Sequence, residues 1–305
     1  MPNAVVQAVP TPLSTFRQPC VSNEAWALIM PLFPLAAATG RPRKWAMRLL
    51  LEAVIFVLRT GCQWRALPEK YPPHSTVQRH FYAWRDAGLF ERINHVMVTI
   101  DREREGREAA PSAGVIDSQS VKTSETGGTK GYDGGKKING LKRHLLVDVG
   151  GRLLSACISP ADRHDSNVAP HLLRASRRHW PFVEKVWADS GYRGKPVAEA
   201  TSISVEIVTG PPNQKGFIVQ KRRWVVERTI AWIGRNRRLA KDYEGQASKA
   251  LAFVFLAGAS GSCPSALFNF LRHVGFPVLA GCHVATAGRM TMGLSLTGAI
   301  PASVM

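Results

Sequence analysis

Three acidic residues stand where an acid is costly unless something neutralises it. Asp117 follows Val115-Ile116 in an apolar run, Asp189 closes Val186-Trp187-Ala188, and Glu227 lies in the basic helical stretch RRWVVERTIAWIGRNRRLAKDYE. A carboxylate at the end of a buried strand needs a paired cation or a bound metal. Brought together, the three offer only hard oxygen donors, the set that suits Mg²⁺ or Mn²⁺. Two such ions about 3.5–4 Å apart activate one oxygen and stabilise the leaving oxygen of a phosphodiester. The residue types leave another reading open, because strand-end aspartates also form turns and cap helices. Asp148, beside Gly150-Gly151, reads as a hairpin residue, and Asp162 and Asp165 read as caps of the helix that follows.

The surroundings of these acids are strongly basic. On a helical wheel Val226, Thr229, Ile230 and Ile233 form the packing stripe, and Glu227 falls on its flank with Arg223, Gly234 and Arg238. Arg222, Arg228, Arg235, Arg237 and Lys241 add to the charge, with Trp224, Trp232 and Tyr243 interleaved. A Gly-rich run after the Asp117 strand carries Lys130, Lys136, Lys137, Lys142, Arg143 and His144, a loop suited to following a phosphate backbone. His144 reads either as a transition-state contact or as a neutral histidine at a strand start. Lys122, Tyr192 and Arg193 are further candidates for phosphate contact. The whole chain agrees with this local picture. Its 305 residues hold 40 Lys+Arg against 22 Asp+Glu, a net charge of +18 that points to a polyanionic partner.

Composition also excludes several classes. With 45% apolar and 20% charged residues the chain is not a disordered one. Its five cysteines form no C-x-x-C pair, which argues against a disulfide framework or zinc ribbon and for reduced thiols in a cytosol. The expected location is the cytoplasm, in association with the nucleoid. No G-x-x-x-x-G-K-[ST] run is present, so nucleotide triphosphate hydrolysis is not expected. The N-terminus lacks the basic start of a signal peptide.

The elements that must position the acids follow from periodicity. Residues 1–20 read as a loose tail. Residues 21–100 read as helical, with a helix in WAMRLLLEAVIFVLRTG ending near Gly61 and another in STVQRHFYAWRDAG that carries Gln78 and Arg79. Two helices with basic and amide side chains on the second suit a helix-turn-helix-like DNA-binding domain, and a plain helical bundle fits the same pattern. Residues 101–114 read as a linker. From 115 to 244 the pattern is mixed α/β, with strands in GVIDSQSV, RHLLVDVG, LLSACIS, EKVWADSG and SVEIVTG. Helices are expected in DSNVAPHLLRASRRHW and KPVAEA, and a last long one after Lys221. Residues 245–305 contain no acid and few bases and read as an atypical tail, too interrupted by glycine, proline and serine to span a membrane.

In order along residues 22–244, these stretches resemble bacterial insertion-sequence transposases of the DDE type, in the supergroup of IS-four and IS-five elements. The resemblance implies a ribonuclease-H-like catalytic domain behind the helical one, two bound Mg²⁺ or Mn²⁺ ions, and binding and joining of double-stranded DNA ends by a homodimer or larger assembly. By position Asp117, Asp189 and Glu227 match the family's catalytic and metal-holding acids. Arg223 matches the arginine of the tyrosine-arginine-glutamate-lysine signature. Gln220 and Gly234 stand where its tyrosine and lysine belong. The family's arginine-rich end is also missing after about Leu256, which suggests that a frameshift or decay replaced it. Reading the gene in its other frames tests that.

Overall fold

The apolar residues of WAMRLLLEAVIFVLRTG leave little of that helix for solvent. In the computed structural model, which describes residues 21–35, 42–125, 128–194, 197, 202–208 and 222–261, it forms α2, Met47–Thr60, with Leu50, Leu51, Ala53, Val54, Ile55, Val57 and Leu58 buried. Gly61 ends it at φ 69°, where a Cβ would lie 3.0 Å from the Cβ of Arg237. Before it, α1 (Asn23–Ile29) starts at Ser22, whose hydroxyl accepts from the Ala25 N–H. After it come α3 (His74–Asp86) and α4 (Leu89–Arg104), joined by Ala87 and Gly88.

The helix-turn-helix expectation is corrected here. The connection from α2 to α3 runs from Gly61 to Pro73 and contains a 3-10 turn, Trp64–Ala66. That is far longer than the 3–4-residue turn of the motif. Pro68, Pro72 and Pro73 keep it out of helix, and Trp64 anchors it against Phe81 at 5.3 Å.

Five expected strands form as β1 (Ala113–Lys122), β3 (Ile138–Asp148), β4 (Leu153–Pro160), β5 (Lys185–Ala188) and β6 (Ser204–Ile207). A short β2, Gly131–Asp133, arises within the Gly-rich loop. The sheet order is β2-β3-β1-β5-β6, with β4 also paired to β3. β3 runs antiparallel to β1, β2 and β4, whereas β5 lies parallel to β1, and β6 parallel to β5. One face of the sheet presents Val115, Leu145, Val147 and Trp187 to a core shared with α6 (Arg223–Gly234), α7 (Ala247–Gly261) and the N-terminal helices. The other presents Ile116, Leu146, Val186 and Ala188 to Leu172 and Leu173 of α5 (Asp165–Arg177) and to Trp180.

Three boundaries differ from those expected. Of residues 101–114, 101–104 are the last turn of α4 and 113–114 begin β1. The final basic helix stops at Gly234 instead of running on to 244, because Arg143 captures the carbonyls of Leu239 and Lys241, and Asp242 pairs with the end of β1. The region from 245 opens with α7, whose Phe253 is fully buried and stacks on Phe81 at 4.7 Å. Its missing charges reflect burial in the core. Among the described residues no helix is long and apolar enough to cross a membrane. The tail expected over 1–20, the helix expected in KPVAEA apart from Val197, and everything after Gly261 lie outside the described residues.

A buried charge cluster ties α4 to the β3–β4 hairpin. Arg152 reaches Asp101 at 2.6 Å and Asp148 at 3.3 Å, and Arg102 also reaches Asp148. Asp148 accepts from the Gly150 and Arg152 N–H groups as well, as the hairpin reading requires.

Candidate active site

Val115 pairs with Trp187 across the parallel β1 and β5. Asp117 lies two residues further along β1 and Asp189 directly after β5 ends, and an arginine of α6 reaches both. Asp117 is buried and accepts from the Ser118 N–H at 2.7 Å. Burial pushes its carboxyl up to about 6; the Ser118 N–H and Arg223 oppose that rise and Asp189 adds to it. Asp189 accepts from the Gly191 N–H at 2.9 Å and opens the 3-10 turn Ser190–Tyr192, so it is a turn former as well as a site candidate. Glu227 comes from α6 and is the most exposed of the three, its side chain 45% accessible.

One group meets all of them. Arg223, a turn before Glu227, places Nη2 3.6 Å from Asp117 Oδ2, 3.9 Å from Asp189 Oδ2 and 3.6 Å from Glu227 Oε1. The three acids, far apart in the chain, therefore share a single cationic nitrogen. Among the described residues no three acid, histidine or cysteine groups are already drawn into metal-ligand geometry. The donors nevertheless fit a hard divalent ion: three carboxylates converge where the fold already places a cation.

A fourth acid lies behind them. Asp165 was expected to cap α5, but the cap is His164, whose Nδ1 accepts from the Ser166 N–H. Asp165 instead accepts from the Ser118 hydroxyl at 3.0 Å and pairs with Lys142 at 3.1 Å. His144, fully buried, shares a hydrogen bond with Ser159, and burial lowers its imidazole to about 4, which keeps it neutral. That favours the neutral reading of this histidine, although it lies in the middle of β3 and not at a strand start. The buried Tyr192 hydroxyl faces Asp165, Asp117 and Asp189, and burial holds its pKa well above the ordinary value. Only the β3 register and the fold of the turn after β5 bring these groups together, so no local sequence signal marks them.

The basic candidates divide by exposure. Lys122, Lys136, Lys137, Arg193, Arg235 and Arg79 are exposed, and Gln78 is half-buried with its amide on the Tyr82 hydroxyl. Asp133 shapes the loop by accepting from the Gly135 and Lys136 N–H groups, both at 3.0 Å. Lys142, Arg143 and Tyr192 are corrected as DNA contacts because all three are buried. Lys142 is spent on Asp165 and the Arg163 carbonyl, and Arg143 on the Leu239 carbonyl at 2.7 Å. Arg228 is packed between the rings of Trp224 and Trp232 and donates to the Gly150 carbonyl. Arg238 pairs with Glu244 at 2.7 Å and reaches the Cys62 carbonyl.

Comparison with known proteins identifies the class to which the chain belongs. The family described as "Transposase DDE domain" matches residues 108–260, and that described as "Putative transposase of IS4/5 family" matches residues 21–94. The chain belongs to the DDE transposases of insertion sequences. It is 31% identical over 143 residues to the "Putative transposase for insertion sequence element IS402" of Burkholderia cepacia, covering 44% of this chain and 65% of that one. It is 28% identical over 120 residues to the "Insertion element IS402 uncharacterized 16.2 kDa protein" of the same organism, covering 36% and 78%. To the "Uncharacterized protein y4sN" of Sinorhizobium fredii it is 27% identical over 115 residues, covering 37% and 86%. No solved structure matches.

Proposed function

We propose that this transposase binds the terminal inverted repeats of its own element, cleaves a phosphodiester there to leave a 3′-hydroxyl, and joins that end to target DNA. The carrying observation is the convergence of Asp117, Asp189 and Glu227 on one cationic nitrogen. The strand order supports a ribonuclease-H-like fold: three antiparallel strands, then two parallel to the first, with helices on both faces. When bound, Mg²⁺ or Mn²⁺, two ions in this reading, supplies Lewis acidity to the attacking and leaving oxygens of an in-line displacement.

The chain's own residues hold and orient. Asp117 and Asp189 are fixed by the N–H groups of Ser118 and Gly191, so their free oxygens face the site. Glu227, on the more open side, completes the donor set from a separate element. Lys122, Lys136, Lys137, Arg193 and Arg235, all exposed, hold phosphates by charge. Arg79 and Gln78 on α3 give the helical part, residues 21–100, its share of the duplex. A homodimer or larger assembly brings two ends together.

Purified protein, labelled element ends, a target plasmid and Mg²⁺ test this reading. Joined products support it. Nicks alone would mark a nuclease, and binding alone a decayed DNA-binding remnant.

A further inference from the structure

We infer that Arg223 is the resident cation of the acidic site, holding the three carboxylates together until a divalent ion arrives and leaving when the ion enters. This rests on the reading of the trio as a metal site. The contacts of Arg223 Nη2 with its three acids lie at 3.6–3.9 Å. Charge-assisted N–H···O bonds are shorter, near 2.7–2.9 Å. The guanidinium is therefore bonded to none of the acids and stands central to all, as a counter-ion does. Asp117 and Asp189 both lie within 3.9 Å of that nitrogen, and without a cation between them two carboxylates so close repel.

Arg223 also differs from its neighbours in what its guanidinium meets. Arg222 lies over the Trp187 ring at 4.2 Å. Arg228 is held between two tryptophans and bonded to the Gly150 carbonyl at 2.7 Å. The Nε of Arg223 is buried with no hydrogen-bond partner among the described residues. A divalent ion bound by the same three carboxylates would sit within a few Å of the guanidinium, and like charges at that distance exclude one another. Occupancy by Arg223 and by metal is thus alternative, and metal affinity is set by the competition.

The test is Mn²⁺ binding to the full-length protein without DNA, read from the free-Mn²⁺ electron paramagnetic resonance signal. Arg223→Gln should tighten binding by about tenfold or more, whereas Arg223→Lys, which keeps a cation there, should stay within about threefold of wild type. Arg65→Gln, an exposed position on the α2–α3 connection, controls for the general loss of charge and should change affinity by less than about twofold. Equal or weaker binding by Arg223→Gln, with binding still abolished by Glu227→Gln, would overturn the inference and leave the metal site standing. Wild-type binding that Glu227→Gln does not weaken, or no binding at all, would instead remove the metal site and this inference with it. Should Arg223→Gln fail to fold, ¹⁵N spectra of the wild type decide. The Nε–H signal absent from Arg223→Lys should move on Mg²⁺ addition, and a signal that stays put refutes the exchange.

Discussion

Asp117 and Asp189 both face the Arg223 guanidinium, yet their side chains are unequally sheltered, 12% and 28% accessible. The strand that carries Asp117 is covered on both faces, while Asp189 sits at the mouth of a turn. Burial therefore strains the first acid more than the second.

A pH-dependent stability follows from that strain. The folded carboxyl of Asp117, at about 6, lies above its ordinary value of 3.8. Its stabilising contribution is therefore complete below 3.8 and lost as pH rises through 6. In chelator, Asp117→Asn should raise the melting temperature at pH 7.5 and change it little at pH 4.5, where the wild-type carboxyl is already mostly protonated. Equal effects at both pH values would contradict the burial argument.

The charge cluster between α4 and the hairpin should behave as a buried network. Arg152→Met leaves Asp101 and Asp148 without their shared partner. The expected cost is about 3–5 kcal/mol in urea unfolding. A loss under about 1 kcal/mol, the range of a surface pair, would show that solvent reaches the cluster.

Exposure separates the basic residues proposed to hold DNA from those that fold the chain. Lys136→Ala and Lys137→Ala should each lower the salt dependence of DNA binding by about one phosphate's share, a slope change of about 0.9, with stability unchanged. Arg143→Ala should leave the slope alone and destabilise the protein, because the guanidinium holds the turn at Leu239 and is 2% exposed. Unfolding and salt titrations on the same three variants separate the two roles, and a slope change in Arg143→Ala would return it to the DNA surface.

Phe253 tests whether α7 belongs to the folded unit. Phe253→Ala should cost about 3–5 kcal/mol, the usual loss for a fully buried ring. A neutral result would make α7 an appendage.

The sequence disclosed local order and not long-range pairing. Five strands, α5 and the start of α6 were legible because apolar alternation and helical spacing are local signals. The trio was legible because each acid ends or flanks such a run. Asp165 escaped, since its partners Ser118 and Lys142 lie on two other elements and meet it only through the β1–β3 register. Arg143 was misread as a surface cation because alternation within KRH does not say which face of β3 is covered. The end of α6 was misplaced for a related reason: a helical pattern cannot announce that a distant arginine will claim its next carbonyls. Likewise α7 looked like a degenerate tail, when its lack of charge matches a site in the core.

Cleavage and binding of labelled element ends by Asp117→Asn, Asp189→Asn and Glu227→Gln, measured side by side in Mg²⁺, bear most directly on the catalytic trio. Each variant should lose cleavage below detection while binding the ends within about twofold of wild type, since the exposed cations supply the affinity. Substantial cleavage by any one of them would take that residue out of the site and contradict the account.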